Sequence, residues 1–348
     1  MNKFDINRIK MFLLDEIWRV TDDEVSKKRG MLYNAIKIVT LSIKEFVERR
    51  IVNMASALTF STLLAIIPIL AILFAIARGF GFANLLEDQF RVSLQGQAFT
   101  AETILSFIDS YLSHAKSGIF IGVGLIMLFY TVLLLTYNME RTFNSIWQVK
   151  KPRTLYRKIT DYFSMLLLLP LLTMLSSGIS IFISTFVKNI QEFALLAPIV
   201  KFLVRLTPFV LTWGMFTALY IFMPNTKVKF KYAIFPGILA GTAFQAFQYL
   251  YIGTQIWVSR YNAIYGSFAA LPLFLVWLQT SWQILLLGGE LSFAFQNIQR
   301  FDEERESLLA SYDCRRKLMV AVMVIVGKAF RDGRGAGPAV EIKEKLAL

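Results

Sequence analysis

The sequence has few of the residues that build disulfides, metal centres and charged surfaces. Its 348 residues include one cysteine, Cys314, and one histidine, His114, and only 18% of the residues are charged. A single cysteine excludes an intramolecular disulfide. One histidine and one distant cysteine do not make a catalytic zinc site, which normally takes several protein ligands. No motif around His114 resembles a Ser-His-Asp triad. We therefore expect no catalytic residues, no metal site and no cofactor.

Apolar residues and positive charge are both in excess. Hydrophobic residues make up 56% of the chain, and the formal net charge is +13. A soluble domain usually carries about 25% charged residues. The combination indicates either a nucleic-acid-binding protein or a membrane protein with a basic cytosolic side, and the position of the charges decides between them.

Six apolar runs are long enough to cross a bilayer, whose hydrocarbon core of about 30 Å needs roughly 20 apolar residues per helix. The runs cover residues 55–77, 119–137, 162–187, 202–223, 233–257 and 268–295. Six such runs cannot all be central helices of one small soluble domain. The sequence therefore predicts an all-α, polytopic membrane protein with six transmembrane helices.

Basic residues alternate between the connections that join these runs. Eleven Lys and Arg precede the first run, six lie in the second connection, three in the fourth and ten in the tail. Thus 30 of the 37 basic residues lie on one side of the predicted membrane. The positive-inside rule places that side, with both termini, in the cytoplasm. We expect these basic loops to contact the lipid bilayer and its anionic headgroups, and we expect no nucleic-acid partner.

The runs divide the chain into three predicted parts. Residues 1–53 form a cytosolic N-terminal segment, in which 31–50 is an amphipathic helix on the membrane surface. Residues 54–297 form the six-helix transmembrane domain, and 298–348 form a cytosolic tail. Helical spacing also predicts short amphipathic helices in the connection 78–118 and a helix over about 311–331 in the tail.

Polar side chains recur at helical spacing within the first, fifth and sixth runs. Polar residues inside membrane helices usually face the interior of the bundle, so these residues are our candidates for a polar cavity. The set is Ser56, Thr59, Gln245, Gln248, Gln279, Gln283 and Glu290. The alternative is that they join helices through hydrogen bonds, each worth about 0.6 kcal/mol.

Glu290 is the only acid that we find inside the six runs. We predict that it forms an ion pair with Arg141, and Arg49 and Arg50 are the alternative partners near the same membrane face. The pair would either orient the helices at the membrane edge or make Glu290 a coupling or gating carboxylate.

Two pairs of glycines are placed for close helix packing. Gly237 and Gly241 form a GxxxG motif in the fifth run, and Gly288 and Gly289 precede Glu290 in the sixth. Small residues of this kind let two helix backbones approach each other. The GxxxG motif would serve packing within one chain or between two copies of a homo-oligomer.

Several short motifs occur together in a characteristic order. They are ASALTFSTLL at 55–64 with Pro68, NSIW at 144–147 with Arg153, Pro224-Asn225, Pro236-Gly237, Tyr261, IYGSFAA at 264–270, Trp277, and LGGEL at 287–291. Through these motifs, which extend over roughly residues 30–300, the chain resembles the YihY/virulence factor BrkB family of bacterial inner-membrane proteins.

The resemblance implies six membrane helices in a multi-pass protein of the bacterial cytoplasmic (inner) membrane, but it implies no established activity. Many members carry the label ribonuclease BN, which we interpret as inherited in error. The enzyme of that name resembles a zinc-dependent hydrolase with a His-rich motif, whereas this sequence has one His. The tail resembles the start of a truncated winged-helix-like domain of longer members. Gly289 stands where the family commonly has Ala.

Three functions remain open at this point. The first is transport or permeation of a small solute, ion or lipid through a polar cavity between helices. The second is a non-transporting envelope protein that acts as a scaffold through its basic loops and tail. The third and least favoured is a membrane-tethered ribonuclease, which would need a metal-binding cluster of carboxylates. We expect a protein that is not an enzyme.

Overall fold

Every regular element in the described part of the chain is a helix, and no strand occurs there. The computed structural model describes residues 27–79, 81, 83–93, 102, 104–110, 119–149, 153–154, 197–261, 270–309, 311–333 and 342. The helices are α1 (Lys27–Glu48), α2 (Ile51–Gly79), α3 (Ala83–Ser93), α4 (Ile119–Ile146), α5 (Ala197–Phe222), α6 (Phe230–Tyr261), α7 (Ala270–Leu309) and α8 (Tyr312–Arg331). The predicted all-α class is confirmed for these residues.

Five of the six apolar runs coincide with long helices, namely α2, α4, α5, α6 and α7. The remaining run, 162–187, lies outside the described residues. By length and composition, two helical segments suffice to cross a membrane, Ile51–Ala71 in α2 and Pro272–Phe301 in α7. A shorter apolar segment, Leu206–Phe222, lies in α5. The total of six spans stays a prediction.

The chain divides into two compact units. One is Ile38–Gln296, and the other combines Met1–Lys37 with Asn297–Leu348. The first unit holds the polar residues singled out above. In the second unit, α8 begins after Ser311, whose side chain accepts a hydrogen bond from the Cys314 backbone N–H and so caps the helix. This confirms the helix predicted over about 311–331.

The predicted amphipathic helix before the first apolar run is α1. It ends at Glu48, and a two-residue turn at Arg49 and Arg50 leads into α2. Arg50 has a φ of 53°, in the left-handed region, and it separates the two helices. Ile38 and Leu41 of α1 are buried, whereas the apolar side chains Val39, Ile43 and Val47 are exposed along another face, at i, i+4 and i+8.

The connection that follows α2 contains short helices, as the sequence predicts, and the structure packs them against the end of α2. It contains α3 and a helical stretch at 104–110. Phe74 of α2 forms a buried cluster with Leu105 and Ile108. Outside the cluster, Arg78 pairs with both Glu87 and Asp109, and Arg91 pairs with Glu102. Arg78 thus joins the end of α2 to both short helical stretches, and the pair of Arg91 with Glu102 lies within the connection.

Helices α5 and α6 form a closely packed pair because two glycines of α6 face α5. A Cβ atom at Gly237 would lie 2.2 Å from Thr217 Oγ1 and 3.1 Å from the Thr217 backbone nitrogen. A Cβ atom at Gly241 would lie 2.8 Å from Trp213 Cδ1. The GxxxG motif therefore serves packing within the chain.

Helix α7 lies between α4 on one side and α5 and α6 on the other. A Cβ atom at Gly288 would lie 2.1 Å from the Tyr220 hydroxyl oxygen and 2.6 Å from Ala240 Cβ. The Tyr220 hydroxyl donates a hydrogen bond of 3.0 Å to the Leu285 carbonyl of α7. Gly289, one residue further, faces Phe143 and Ile146 of α4. The two adjacent glycines thus set how α7 is rotated about its axis.

Candidate functional site

The best-formed polar contact between two candidate spans joins α2 to α7. Gln279 of α7 donates from Nε2 to Ser56 Oγ over 2.9 Å, and its Oε1 accepts from Thr59 Oγ1 over 2.8 Å. One turn further along α7, Trp282 Nε1 donates to Thr62 Oγ1 over 3.1 Å. Three of the predicted cavity residues are therefore brought together by direct hydrogen bonds, which is the alternative interpretation that the sequence left open.

These bonds form one wall of a groove between α2 and α7. Its cavity volume is about 510 Å³. The lining residues are Ser56, Thr59, Phe60, Leu63, Leu275, Val276, Gln279 and Thr280. None of these residues carries a charge. The groove therefore offers one hydroxyl-and-amide patch within an apolar surface, at the level of both candidate spans.

Gln245 belongs to a different contact, between α6 and α5. Its Nε2 donates to Thr212 Oγ1 over 2.6 Å and lies 3.1 Å from the Pro208 carbonyl. Thr212 Oγ1 also lies 2.7 Å from that carbonyl, one turn earlier in α5. Gln245 thus joins α6 to the turn of α5 that follows Pro208.

The seven polar residues predicted for a cavity are not all brought together among the described residues, and a single cavity stays a prediction. Ser56, Thr59 and Gln279 form one contact, and Gln245 forms another with α5. Gln248 and Gln283 are partly exposed and make no hydrogen bond to a described residue. Glu290 lies three turns along α7 from Gln279. The polar positions share a face within each helix, but in the described ranges those faces do not meet at a common centre.

The predicted ion pair between Glu290 and Arg141 is not formed. Arg141 is exposed, whereas Glu290 is 0% exposed and neither of its carboxylate oxygens has a hydrogen-bond partner among the described residues. Within the described ranges, the charged side chains that act on Glu290 electrostatically are Arg49 and Glu45. Arg49 was one of the two alternative partners of Glu290 that the sequence predicts. It is the nearby basic residue because Gly289 packs against α4, which leaves Glu290 to face the turn between α1 and α2.

Arg49 joins that turn to the end of α4. Its Nε donates to Glu45 Oε2 over 2.5 Å, and its Nη1 donates to the carbonyls of Ser145 and Ile146 over 2.8 and 3.2 Å. A cation is favourable there because the last carbonyls of a helix carry partial negative charge. The guanidinium also lies 5.6 Å from the centre of the Phe293 ring. We call Glu45, Arg49, Glu290 and Phe293 the junction cluster.

The end of α4 and the segment that follows it meet the loop between α5 and α6 beside the junction cluster. The Asn144 side-chain oxygen accepts a 2.7 Å hydrogen bond from the Asn225 backbone N–H. Arg153 donates to the Phe222 carbonyl over 2.6 Å, at the last residue of α5. The motifs at 144–147, Arg153 and Pro224-Asn225 are thus adjacent in the fold. Of the motif IYGSFAA, residues 264–269 lie outside the described residues.

One buried acid, Glu140, was not predicted from the sequence. Glu140 is 1% exposed and accepts a hydrogen bond of 3.2 Å from Asn144 Nδ2. It follows the apolar run that ends at residue 137, but α4 continues to Ile146 and carries Glu140 into the protein interior. The signal that was available is helical spacing, since Glu140 shares a face with Phe143, Asn144 and Trp147.

Comparison with known proteins agrees with these motifs. The family model described as virulence factor BrkB matches residues 42–311, which is more than half of the chain. The UPF0761 membrane protein NTHI0384 of Haemophilus influenzae (strain 86-028NP) is 31% identical over 261 residues, covering 73% of this chain and 93% of that protein. The UPF0761 membrane protein MS0032 of Mannheimia succiniciproducens is 32% identical over 251 residues, covering 71% and 85%.

A longer relative shows the same similarity. The UPF0761 membrane protein of Azotobacter vinelandii is 29% identical over 296 residues, which cover 82% of this chain and 67% of that protein. No solved structure matches the chain. The match to the family model over residues 42–311, together with relatives that are membrane proteins by name, establishes that the chain belongs to the BrkB virulence factor family of bacterial membrane proteins.

Proposed function

We propose that the protein moves a small molecule or ion across, or within, the bacterial cytoplasmic membrane. The proposed architecture is the multi-pass one predicted from the sequence, with six spans and both termini in the cytoplasm. The observation that carries the proposal is the groove between α2 and α7, where Gln279, Ser56 and Thr59 are hydrogen-bonded within the two candidate spans. Polar groups inside membrane helices are costly unless they pair, and they often mark pathways.

The chemistry of the groove favours an amphipathic substrate among the solute, ion and lipid classes. Its lining residues are uncharged, so they offer an ion only hydroxyl and amide oxygens. Phe60, Leu63, Leu275 and Val276 supply an apolar surface beside the polar patch. A lipid has an apolar chain that matches this surface and a polar part that matches Gln279. We therefore place lipid first, small solute second and ion third.

The composition of the whole chain supports a non-enzymatic role, because one histidine and one cysteine are too few for a catalytic zinc site. We propose that the protein is not an enzyme and that its basic loops contact anionic lipid headgroups.

The experiment is a flux assay in vesicles that contain the purified protein. A fluorescent phospholipid, a neutral solute and a monovalent cation are tested in parallel. Thr59→Val removes the hydrogen bond to Gln279, and Thr254→Val is the matched control because the one bond that Thr254 makes to a described residue goes to the Leu250 carbonyl of its own helix. The lost hydrogen bond is worth about 0.6 kcal/mol or more, which corresponds to a change of at least about threefold in rate. We therefore expect lipid flux to change by that factor in Thr59→Val and to stay unchanged in Thr254→Val.

The second candidate function, a scaffold, has an observation of its own. Gly237, Gly241 and Gly288 leave no room between α5, α6 and α7, so that part of the bundle is solidly packed. Helix α8 also has no buried residue, and it exposes Met319, Met323 and Phe330. Vesicles in which all three fluxes equal those of protein-free vesicles would favour the scaffold over transport.

A further inference from the structure

The junction cluster contains more negative than positive charge. Glu45 and Glu290 are both acids, and among the residues that the structure describes Arg49 is the basic residue that acts on Glu290 electrostatically. Arg141 is exposed elsewhere on α4, and the α4 residues that face Gly289 are the apolar Phe143 and Ile146. If both acids are ionised, the cluster lacks one positive charge.

Arg49 is already engaged with partners other than Glu290. Its Nε is bonded to Glu45, and its Nη1 is bonded to two carbonyls at the end of α4. Glu290 meanwhile has no hydrogen-bond partner among the described residues, although it is 0% exposed. Burying an ionised carboxylate without hydrogen bonds is costly, by several kcal/mol per ion. The positive charge that would balance the second acid of the cluster is therefore needed at the Glu290 carboxylate itself.

We propose that the junction cluster is a proton-binding site, in which Glu290 holds an exchangeable proton. When the O–H bond of the carboxylic acid breaks, the proton passes to water and the electron pair stays on the carboxylate. Arg49 is then the alternate partner, because its guanidinium turns from the α4 carbonyls toward Glu290. Loss of the proton would loosen the tie between the α1–α2 turn and α4. The proposal does not depend on what the groove between α2 and α7 carries.

Glu140 is a useful comparison because it is a buried acid whose surroundings differ. It accepts a hydrogen bond from Asn144, which stabilises a carboxylate. Glu45 is bonded to Arg49 at 2.5 Å. Glu290 is thus the acid in this region whose oxygens are both buried and without a partner among the described residues.

The test is labelling by a hydrophobic carbodiimide, which reacts with protonated carboxyl groups. Full-length protein in lipid vesicles is labelled across a series of buffers, and the modified peptides are identified by mass spectrometry. Glu290 should be labelled in neutral buffer, and its labelling should fall about tenfold for each pH unit above the midpoint. Arg49→Gln should extend the labelling into more alkaline buffer, because the ionised form has lost its alternate partner. Glu140→Gln should leave the labelling of Glu290 unchanged.

Two outcomes would overturn the proposal. If Glu290 stays unlabelled in every buffer while added free carboxylic acid reacts, it is permanently ionised. If sodium suppresses the labelling at constant pH while choline at the same concentration does not, the site holds a metal cation instead. Should Arg49→Gln fail to fold, infrared spectroscopy of the wild-type protein serves as the second measurement. A protonated carboxyl band must shift in heavy water and disappear in Glu290→Gln.

Discussion

At the scale of single residues, two adjacent glycines determine where the candidate site residues of α7 point. Gly288 fits against Tyr220 and Ala240, and Gly289 fits against Phe143 and Ile146. Because successive helix residues are about 100° apart, fixing these two contacts also fixes the direction of Glu290. The same rotation brings Ser292 within 3.0 Å of the Tyr232 carbonyl, to which it donates.

We predict that Gly288→Ala and Gly289→Ala differ strongly in their effect on stability. An added methyl at 288 would lie 2.1 Å from the Tyr220 hydroxyl and threaten its hydrogen bond to Leu285, whereas at 289 the nearest atom is 3.3 Å away. Overpacking should cost Gly288→Ala about 1–3 kcal/mol, and Gly289→Ala should cost less than about 1 kcal/mol. Thermal unfolding in detergent measures both. Equal melting temperatures for the two variants would contradict this account of α7.

The sequence identified the important acid but not the geometry around it. Glu290 was singled out because it interrupts an apolar run, and Arg49 was already one of its possible partners. The choice between Arg49 and Arg141 depends on the rotation of α7, which is set by contacts across the bundle. Spacing along one helix carries no information about that rotation, so Arg141 was favoured wrongly.

At the scale of helices, α5 and α6 form the closest pair in the described bundle. Gly237 and Gly241 let the backbones approach, and Gln245 reaches Thr212 one turn beyond them. Trp213 Nε1 also donates to Thr242 Oγ1 over 3.0 Å. The pair therefore combines close packing with hydrogen bonds along one face of α6, as membrane helices commonly do.

Replacing Gly237 by alanine should separate this pair. The new methyl would contact Thr217 at the backbone nitrogen as well as at Oγ1, so no side-chain movement alone can relieve it. We expect a loss of about 1–3 kcal/mol. Gly253→Ala on the same helix is the control, because no described atom lies within 4 Å of the added carbon. Chemical denaturation of each variant in mixed micelles measures the difference. If Gly237→Ala were as stable as Gly253→Ala, the contact between α5 and α6 would tolerate a wider spacing.

Helix positions followed from hydropathy, whereas helix ends did not. The runs 55–77 and 119–137 predicted α2 and α4, but α4 continues nine residues further, to Ile146. That extension contains Glu140 and the polar residues Arg141, Thr142 and Asn144. Hydropathy ends where polar residues begin, although a helix continues as long as its backbone hydrogen bonds and packing allow. Consequently the acid on the extension was missed.

At the scale of the whole molecule, polar contacts are distributed among helix pairs rather than collected in one place. Asn138 of α4 donates to Ser61 of α2 over 2.8 Å, Gln279 joins α7 to α2, and Gln245 joins α6 to α5. The single central cavity expected from the sequence required all these faces to meet. Whether these polar faces meet depends on how all six predicted helices pack together. A single sequence shows which residues share a face of one helix, but it does not show which neighbouring helix that face contacts.

The proposed topology can be tested with the one native cysteine. Cys314 is exposed on α8, which belongs to the predicted cytosolic tail, so it should be inaccessible to a membrane-impermeant maleimide in intact spheroplasts. The opposite side is tested with Asp88→Cys in a Cys314→Ser background, because Asp88 is an exposed residue of α3 between the first two predicted spans.

The Asp88→Cys protein should react before lysis, whereas native Cys314 should react only after the membrane is opened, because the maleimide carries a charge that cannot cross hydrocarbon. The Cys314→Ser protein without a new cysteine gives the background in both preparations. The positive-inside rule predicts the same result, because 30 of the 37 basic residues lie on the predicted cytoplasmic side. Reaction of Cys314 in intact spheroplasts, at the rate seen after lysis, would place the tail outside. It would therefore rule out a bundle with an even number of spans and both termini in the cytoplasm.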